Sequence, residues 1–149
     1  MILWRLTAPA HAPGLDGEGA RLHGGRWNSP GTPIVYTSSS LALALVETWV
    51  HLPPPMRRAE ALPPRVAVRI ELPGDLTPER ADPMDLTNAA ALRAFGDAWA
   101  ASRRSLALEV PSAVVPAERN VLLNPSHPSM PEVRVLEVAP FAIDRRMGF

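Results

Sequence analysis

Apolar and polar positions alternate along this chain in short runs, and the period of each run predicts its element. Ile2 to Thr7 reads as a first strand. His11 to Gly25 is polar and glycine-containing, so a surface loop is expected. Pro33-Ile34-Val35-Tyr36-Thr37 is short and β-branched and predicts a second strand. Leu41 to Val50 is an apolar run with a helical period, preceded by Ser38-Ser39-Ser40, whose hydroxyl oxygens can cap it, and closed before Pro53-Pro54-Pro55. Arg65 to Leu72 alternates polar and apolar residues, the pattern of a half-buried strand. Gly74 to Asp85 is expected to be a loop. Asn88 caps a second helix that continues to Arg104, with Leu92, Phe95 and Trp99 on one face and Gly96 as a weak point. Ser105–Val110 and Ala113–Val115 read as strands around the Pro111-Ser112 corner, followed by strands at Val121–Leu123 and Val133–Val138. This order of strands and helices predicts an α+β fold with a mixed or antiparallel sheet, and not the regular alternation of a doubly wound one.

Length fits this picture: 149 residues suit a single domain over 1–149 with a real core. Eighteen prolines break up long helices. Zero formal net charge argues against direct nucleic-acid binding through phosphate neutralisation. The fifteen basic residues are all arginine, which excludes lysine Schiff-base chemistry and a phosphate-loop lysine. The absence of cysteine excludes thiol nucleophiles, disulfides and thiolate metal sites. His11, His23, His51 and His127 make no close pair at metal-ligand spacing, so no metal is expected. No apolar stretch approaches the ~20 residues of a membrane span, and Met1-Ile2-Leu3-Trp4-Arg5 lacks the start of a signal peptide. A cytoplasmic location is expected.

The residue that asks for an explanation is Glu47, a carboxylate inside the apolar helical run. Taking a charge out of water is costly unless something compensates it. The stripe Leu41, Leu45, Trp49 is expected to face the main core, with Glu47 beside it at a cleft and His51 one turn later on its face. A helix-edge glutamate reaching water, or a Glu–His pair within the helix, explains the pattern equally well. Upstream, Gly24-Gly25-Arg26-Trp27-Asn28 puts an arginine on a glycine turn. Such glycines permit positive φ and close approach of a ligand to backbone, and a guanidinium fork matches phosphate oxygens; alone, a turn arginine paired with a surface carboxylate is the commoner case. Tyr36 is expected on the side of its strand opposite Ile34, where its ring can pack on a planar heterocycle or simply be half-buried. Ser112, stiffened between Pro111 and Pro116, suits ligand hydrogen bonding better than nucleophilic attack, since no His–acid pair is marked; a turn serine bonded to nearby backbone is the alternative. Asn120 and Asn124 are expected to hold loops through backbone hydrogen bonds. One placed carboxylate, a phosphate-type arginine, an aromatic ring and a hydroxyl together suit cleavage of a glycosidic bond with a good leaving group, through an oxocarbenium-like transition state.

The chain also resembles the RES-domain family, toxins of bacterial toxin–antitoxin pairs named for Arg, Glu and Ser. The resemblance runs through Trp4-Arg5-Leu6, Gly24-Gly25-Arg26-Trp27-Asn28, Tyr36-Thr37-Ser38, Ala44-Leu45-Val46-Glu47, His51, Val110 to Pro116, Glu118-Arg119-Asn120, Asn124 to Pro128 and Pro140 to Arg146. The name-giving positions fall on Arg26, Glu47 and Ser112. It implies a compact split β-structure with flanking helices, similar to ADP-ribosyltransferase toxins. It implies NAD+ as substrate, consumed by hydrolysis or phosphorolysis or used to ADP-ribosylate a protein such as phosphoribosyl pyrophosphate synthetase. It implies an Xre-type helix-turn-helix antitoxin as partner. On this reading Glu47, Arg26, Tyr36 and Ser112 are the catalytic set, and Arg26, Gly25, Tyr36, Ser112, Arg5 and His51 bind NAD+. The rival readings are a noncatalytic partner-binding protein on the same fold and a ribonuclease-type toxin. The Pro140-Phe141 region and Met147-Gly148-Phe149 either form a homodimer interface or finish the core.

Overall fold

The computed structural model describes residues 1–149. Seven strands form one sheet: β1 (Ile2–Thr7), β2 (Val35–Ser38), β3 (Arg65–Glu71), β4 (Glu79–Arg80), β5 (Ala107–Pro111), β6 (Arg119–Leu123) and β7 (Arg134–Phe141). Their order is β4-β5-β6-β2-β1-β3-β7. Only β4 and β5 run parallel; every other neighbouring pair is antiparallel. This is the α+β class with a mixed sheet that the pattern predicts. The helices are α1 (Glu18–His23), α2 (Leu41–His51) and α3 (Ala89–Ser102), and none is long and apolar enough to cross a membrane.

The sheet is continuous, yet it is narrow at one place. β1 pairs with β3 over six residues, and β2 with β6 over four, but β1 and β2 meet at a single pair, Trp4 with Ser38. The two halves of the sheet are joined by that one pair. This is the physical content of the split expected for the fold, and the cavity described below opens along it.

Side-chain parity sorts the core into two clusters. Leu3, Val35, Val68, Ile70, Leu72, Ala107, Val121 and Leu123 pack on one side. Trp27, Ile34, Leu92, Trp99, Ala100, Leu108, Val110 and Leu122 pack on the other, with the inner face of α3. Ser40 caps α2 by accepting from the Leu43 N–H, and Asn88 caps α3 by accepting from Ala91. Gly96 is required by packing: a Cβ there would stand 1.7 Å from the Trp27 carbonyl oxygen. The weak point of α3 is therefore where the glycine turn docks.

Four local expectations need correction. The His11–Gly25 stretch contains α1, a six-residue helix with no buried residue and therefore no apolar period to read. Gly74–Asp85 contains β4, two residues long, too short to alternate. Ala113–Val115 is not a strand: the Ser112 hydroxyl accepts from the Val114 and Val115 N–H groups and bends the chain into a turn, so side chain outcompetes ladder. Along α2 the buried residues are Leu43 and Ala44, while Leu41, Leu45 and Trp49 are only half-buried. The inward face thus carries Leu43, Ala44, Glu47 and Thr48, and Glu47 lies on it, not beside it.

Candidate active site

Where the two half-sheets part, a cavity of about 480 Å³ opens between β1, β2, β6, α2 and the Gly24–Asn28 turn. That volume is in the range of small-molecule and cofactor sites. Arg5, Gly25, Arg26, Tyr36, Glu47 and His51 all line it, together with Trp4, Ser38, Thr48, Arg65 and Asn120. Ser112 does not line it; the residue is wholly buried behind Glu47.

Glu47 is held by its Oε1 alone. The Ser112 hydroxyl donates to it at 2.6 Å and the Asn120 side-chain amide at 2.8 Å. Oε2 receives no hydrogen bond from the protein, and no arginine or histidine stands within 4 Å of the carboxylate. Two neutral donors therefore fix the orientation of the anion and leave its charge uncompensated, facing the cavity. Ser112 keeps its own place by accepting from Val114 and Val115. Asn120 in turn accepts at Oδ1 from the Ser38 hydroxyl at 2.8 Å. Asn120 is thus a side-chain partner of Glu47, not the backbone loop-holder expected. Asn124 does hold its loop, donating to Ala100 O and accepting from Ser126 N–H. The missed role of Asn120 has one readable signal: in the strand alternation Asn120 shares a face with Leu122, pointing inward.

The glycine turn is shaped around Tyr36. Gly24 has φ of +72°, and Gly25 bridges to Asn28. A Cβ on Gly25 would stand 2.7 Å from the Tyr36 hydroxyl oxygen, so only glycine admits that approach. The hydroxyl donates to Asn28 Oδ1 at 2.6 Å and accepts from the Trp27 N–H at 3.0 Å. Asn28, wholly buried, donates onward to the Ala20 and Thr32 carbonyls. Burial pushes the Tyr36 phenol up to about 12, against the lowering effect of the Trp27 N–H. The hydroxyl is a fixed structural donor, and the ring presents the chemistry. Tyr36 packs with the same cluster as Ile34, contrary to the expectation of opposite sides; residues two apart on a strand share a face.

Two arginines differ in kind. Arg26 is exposed at the rim and donates from Nη1 to the Leu86 carbonyl at 3.2 Å. Arg5 lies deeper. Its Nη1 donates to the Tyr36 carbonyl at 3.3 Å, while its Nε is buried without any partner. Burial lowers its pKa against the raising effect of Asp16. Gly14, at φ +66°, closes over it; a Cβ there would stand 3.0 Å from Nε. A half-buried guanidinium in a cavity wall, held by a single backbone carbonyl, is a ready anion contact. His51 sits one turn after Glu47, its Nδ1 2.7 Å from the Glu47 carbonyl oxygen. That contact leaves Nε2 without a protein partner at the cavity edge.

The family model described as RES domain matches residues 2–144. Among curated relatives, the chain is 40% identical to a protein of Sphingobium sp. (strain YBL2) called "Prs ADP-ribosylating toxin", over 97% of this chain and 94% of that one. It is 35% identical to "Toxin Res" of Yersinia enterocolitica and 34% identical to "Toxin Res" of Pseudomonas putida, each over 99% of both chains. Among solved structures, the M. tuberculosis MbcT–MbcA toxin–antitoxin complex contains a chain that superposes with a TM-score of 0.69 at 21% identity, covering 95% of this chain and 84% of the other. That likeness carries the fold.

Proposed function

This chain belongs to the RES domain family, and on that premise we propose that it is the toxin of a toxin–antitoxin pair, cleaving the bond between nicotinamide and ribose in NAD+. The observation that carries the reading is Glu47: an anion oriented by Ser112 and Asn120 through one oxygen, with the other oxygen left free of protein partners in a cavity of about 480 Å³.

NAD+ carries its own good leaving group. When the C1′–N bond breaks, the bonding electron pair goes to the nicotinamide nitrogen, and positive charge passes to the C1′–O4′ unit of the ribose. Oε2 of Glu47 accepts from the ribose hydroxyls and stabilises that charge as it develops. A carboxylate already neutralised by an arginine would do this poorly, which is why its neutral donors matter. Ser112 and Asn120 are positioning residues, acting through Glu47. The Tyr36 ring packs on the nicotinamide or its ribose. Arg5 and Arg26 hold the pyrophosphate, one half-buried in the wall and one at the rim, with Gly25 letting the backbone approach, and His51 shapes the mouth. A nucleophile then attacks C1′: water, losing a proton, gives ADP-ribose, phosphate gives its phosphorolysis product, and a protein side chain gives an ADP-ribosylated target. The name of the Sphingobium relative favours transfer to a protein. The MbcT–MbcA complex, a toxin held by its antitoxin, favours an antitoxin as the neutralising partner here.

The test is incubation of purified protein with NAD+, with and without inorganic phosphate, following nicotinamide release and identifying the ADP-ribosyl product by mass. Catalytic release of nicotinamide is expected. Intact NAD+ in all conditions overturns the proposal.

A further inference from the structure

We propose that Ser38 is a positioning residue for Glu47, acting at one remove through the side-chain amide of Asn120. The inference rests on Glu47 being the charge that drives bond cleavage, and it concerns how that charge is aimed.

An ionised carboxylate only accepts hydrogen bonds. Asn120 must therefore turn its Nδ2 toward Glu47 Oε1, where it lies at 2.8 Å. Its Oδ1 then points away and needs a donor. Ser38 supplies one at 2.8 Å. Ser38 is buried, and this is the bond its hydroxyl proton makes. The two residues face each other directly across the β2–β6 ladder, so the backbone itself fixes their separation. Ser38 is also the β2 residue that pairs with Trp4 at the narrow joint between the half-sheets.

The two ends of an asparagine amide have nearly the same shape and opposite hydrogen-bonding character. Without the Ser38 donor, Oδ1 loses the one protein partner that fixes which way the amide faces. Rotation of the amide then sets acceptor against acceptor at Glu47 Oε1. Either outcome loosens the carboxylate while leaving the cavity walls, and so the binding of substrate, in place. Ser112 still holds Oε1, so the loss is partial.

The test is a double-mutant cycle on nicotinamide release. Ser38→Ala should lower kcat about 5- to 10-fold with KM little changed, and Ser38→Ala/Asn120→Ala should fall no further than Asn120→Ala alone. Multiplicative losses in the double variant, or a Ser38→Ala enzyme with unchanged kcat, overturn the proposal. If Ser38→Ala does not fold, Ser38→Cys, close in size and a weak donor, takes its place in the cycle. A second readout does not depend on turnover. By NMR, the Asn120 side-chain amide protons should exchange slowly in the wild type and faster in the variant; fast exchange in the wild type overturns the proposal by itself. Failure of the wild type to release nicotinamide would instead count against the function, leaving the amide measurement to decide the role of Ser38.

Discussion

Replacing Glu47 with glutamine removes one charge and almost nothing else. The amide oxygen of the new side chain can still accept from Ser112 and Asn120 in place of Oε1, so both buried donors stay satisfied and the fold is expected to keep its stability. At the position of Oε2 the variant presents an NH2 group, a donor with no charge, toward the ribose. The expected loss follows from Coulomb's law: opposite unit charges about 4 Å apart interact by about 4 kcal/mol at an effective dielectric constant near 20. Loss of one preorganised group of this kind commonly costs about 10²–10³ in kcat, or roughly 2.7–4 kcal/mol. The two routes agree, so kcat for nicotinamide release should fall about 10²–10³-fold with KM nearly unchanged. The assay is a steady-state rate on protein whose thermal unfolding matches the wild type. A folded Glu47→Gln protein with full turnover would refute the role given to this carboxylate.

Ser112→Ala removes a donor from Glu47 and the acceptor for Val114 and Val115; it should destabilise the domain by about 1–3 kcal/mol in denaturant titrations as well as slowing turnover. Arg5→Ala should raise KM for NAD+ more than Arg26→Ala does, because Arg5 lies half-buried in the cavity wall while Arg26 is exposed and bonded to Leu86; equal effects would argue against the difference in kind. Tyr36 is the chain's single tyrosine, so its phenolate absorbance reports one site. With the folded value raised to about 12 and the unfolded one near 10, stability is full below pH 10, falls as the unfolded state ionises above it, and is lower by about 2 kcal/mol at pH 12. Tyr36→Phe should lack that slope. Gly96→Ala forces a methyl against the Trp27 carbonyl and should destabilise by at least about 1–3 kcal/mol, measured as a lowered melting temperature.

Much of the fold was legible because its signals are local. Alternation gave β3 and β7, and Ser40 and Asn88 marked the starts of α2 and α3. What failed was of two kinds. Segments too short or too exposed to show a period, α1 and β4, carried no signal. Ser112 overrode the apolar Ala113–Val115 run by bonding backbone, a competition that hydropathy does not register. The inward face of α2 was misjudged because apolar residues surround the whole helix, so the largest of them did not mark the buried side. At the site, the sequence singled out Glu47 by its cost and Arg26 by its turn. It could not reveal that Ser112 and Asn120 converge on one oxygen of Glu47, since they lie 65 and 73 residues away. Nor could it reveal that, of the two arginines at the cavity wall and rim, Arg5 and not Arg26 has a buried unsatisfied nitrogen. Such convergence is a property of register between strands.

The most direct measurement is a crystal structure of the Glu47→Gln protein with NAD+ bound. The account predicts the nicotinamide ribose within hydrogen-bonding distance of residue 47, on the side away from Ser112 and Asn120, with the nicotinamide against the Tyr36 ring and the pyrophosphate between Arg5 and Arg26. NAD+ bound elsewhere, or with its adenine end against residue 47, would contradict it.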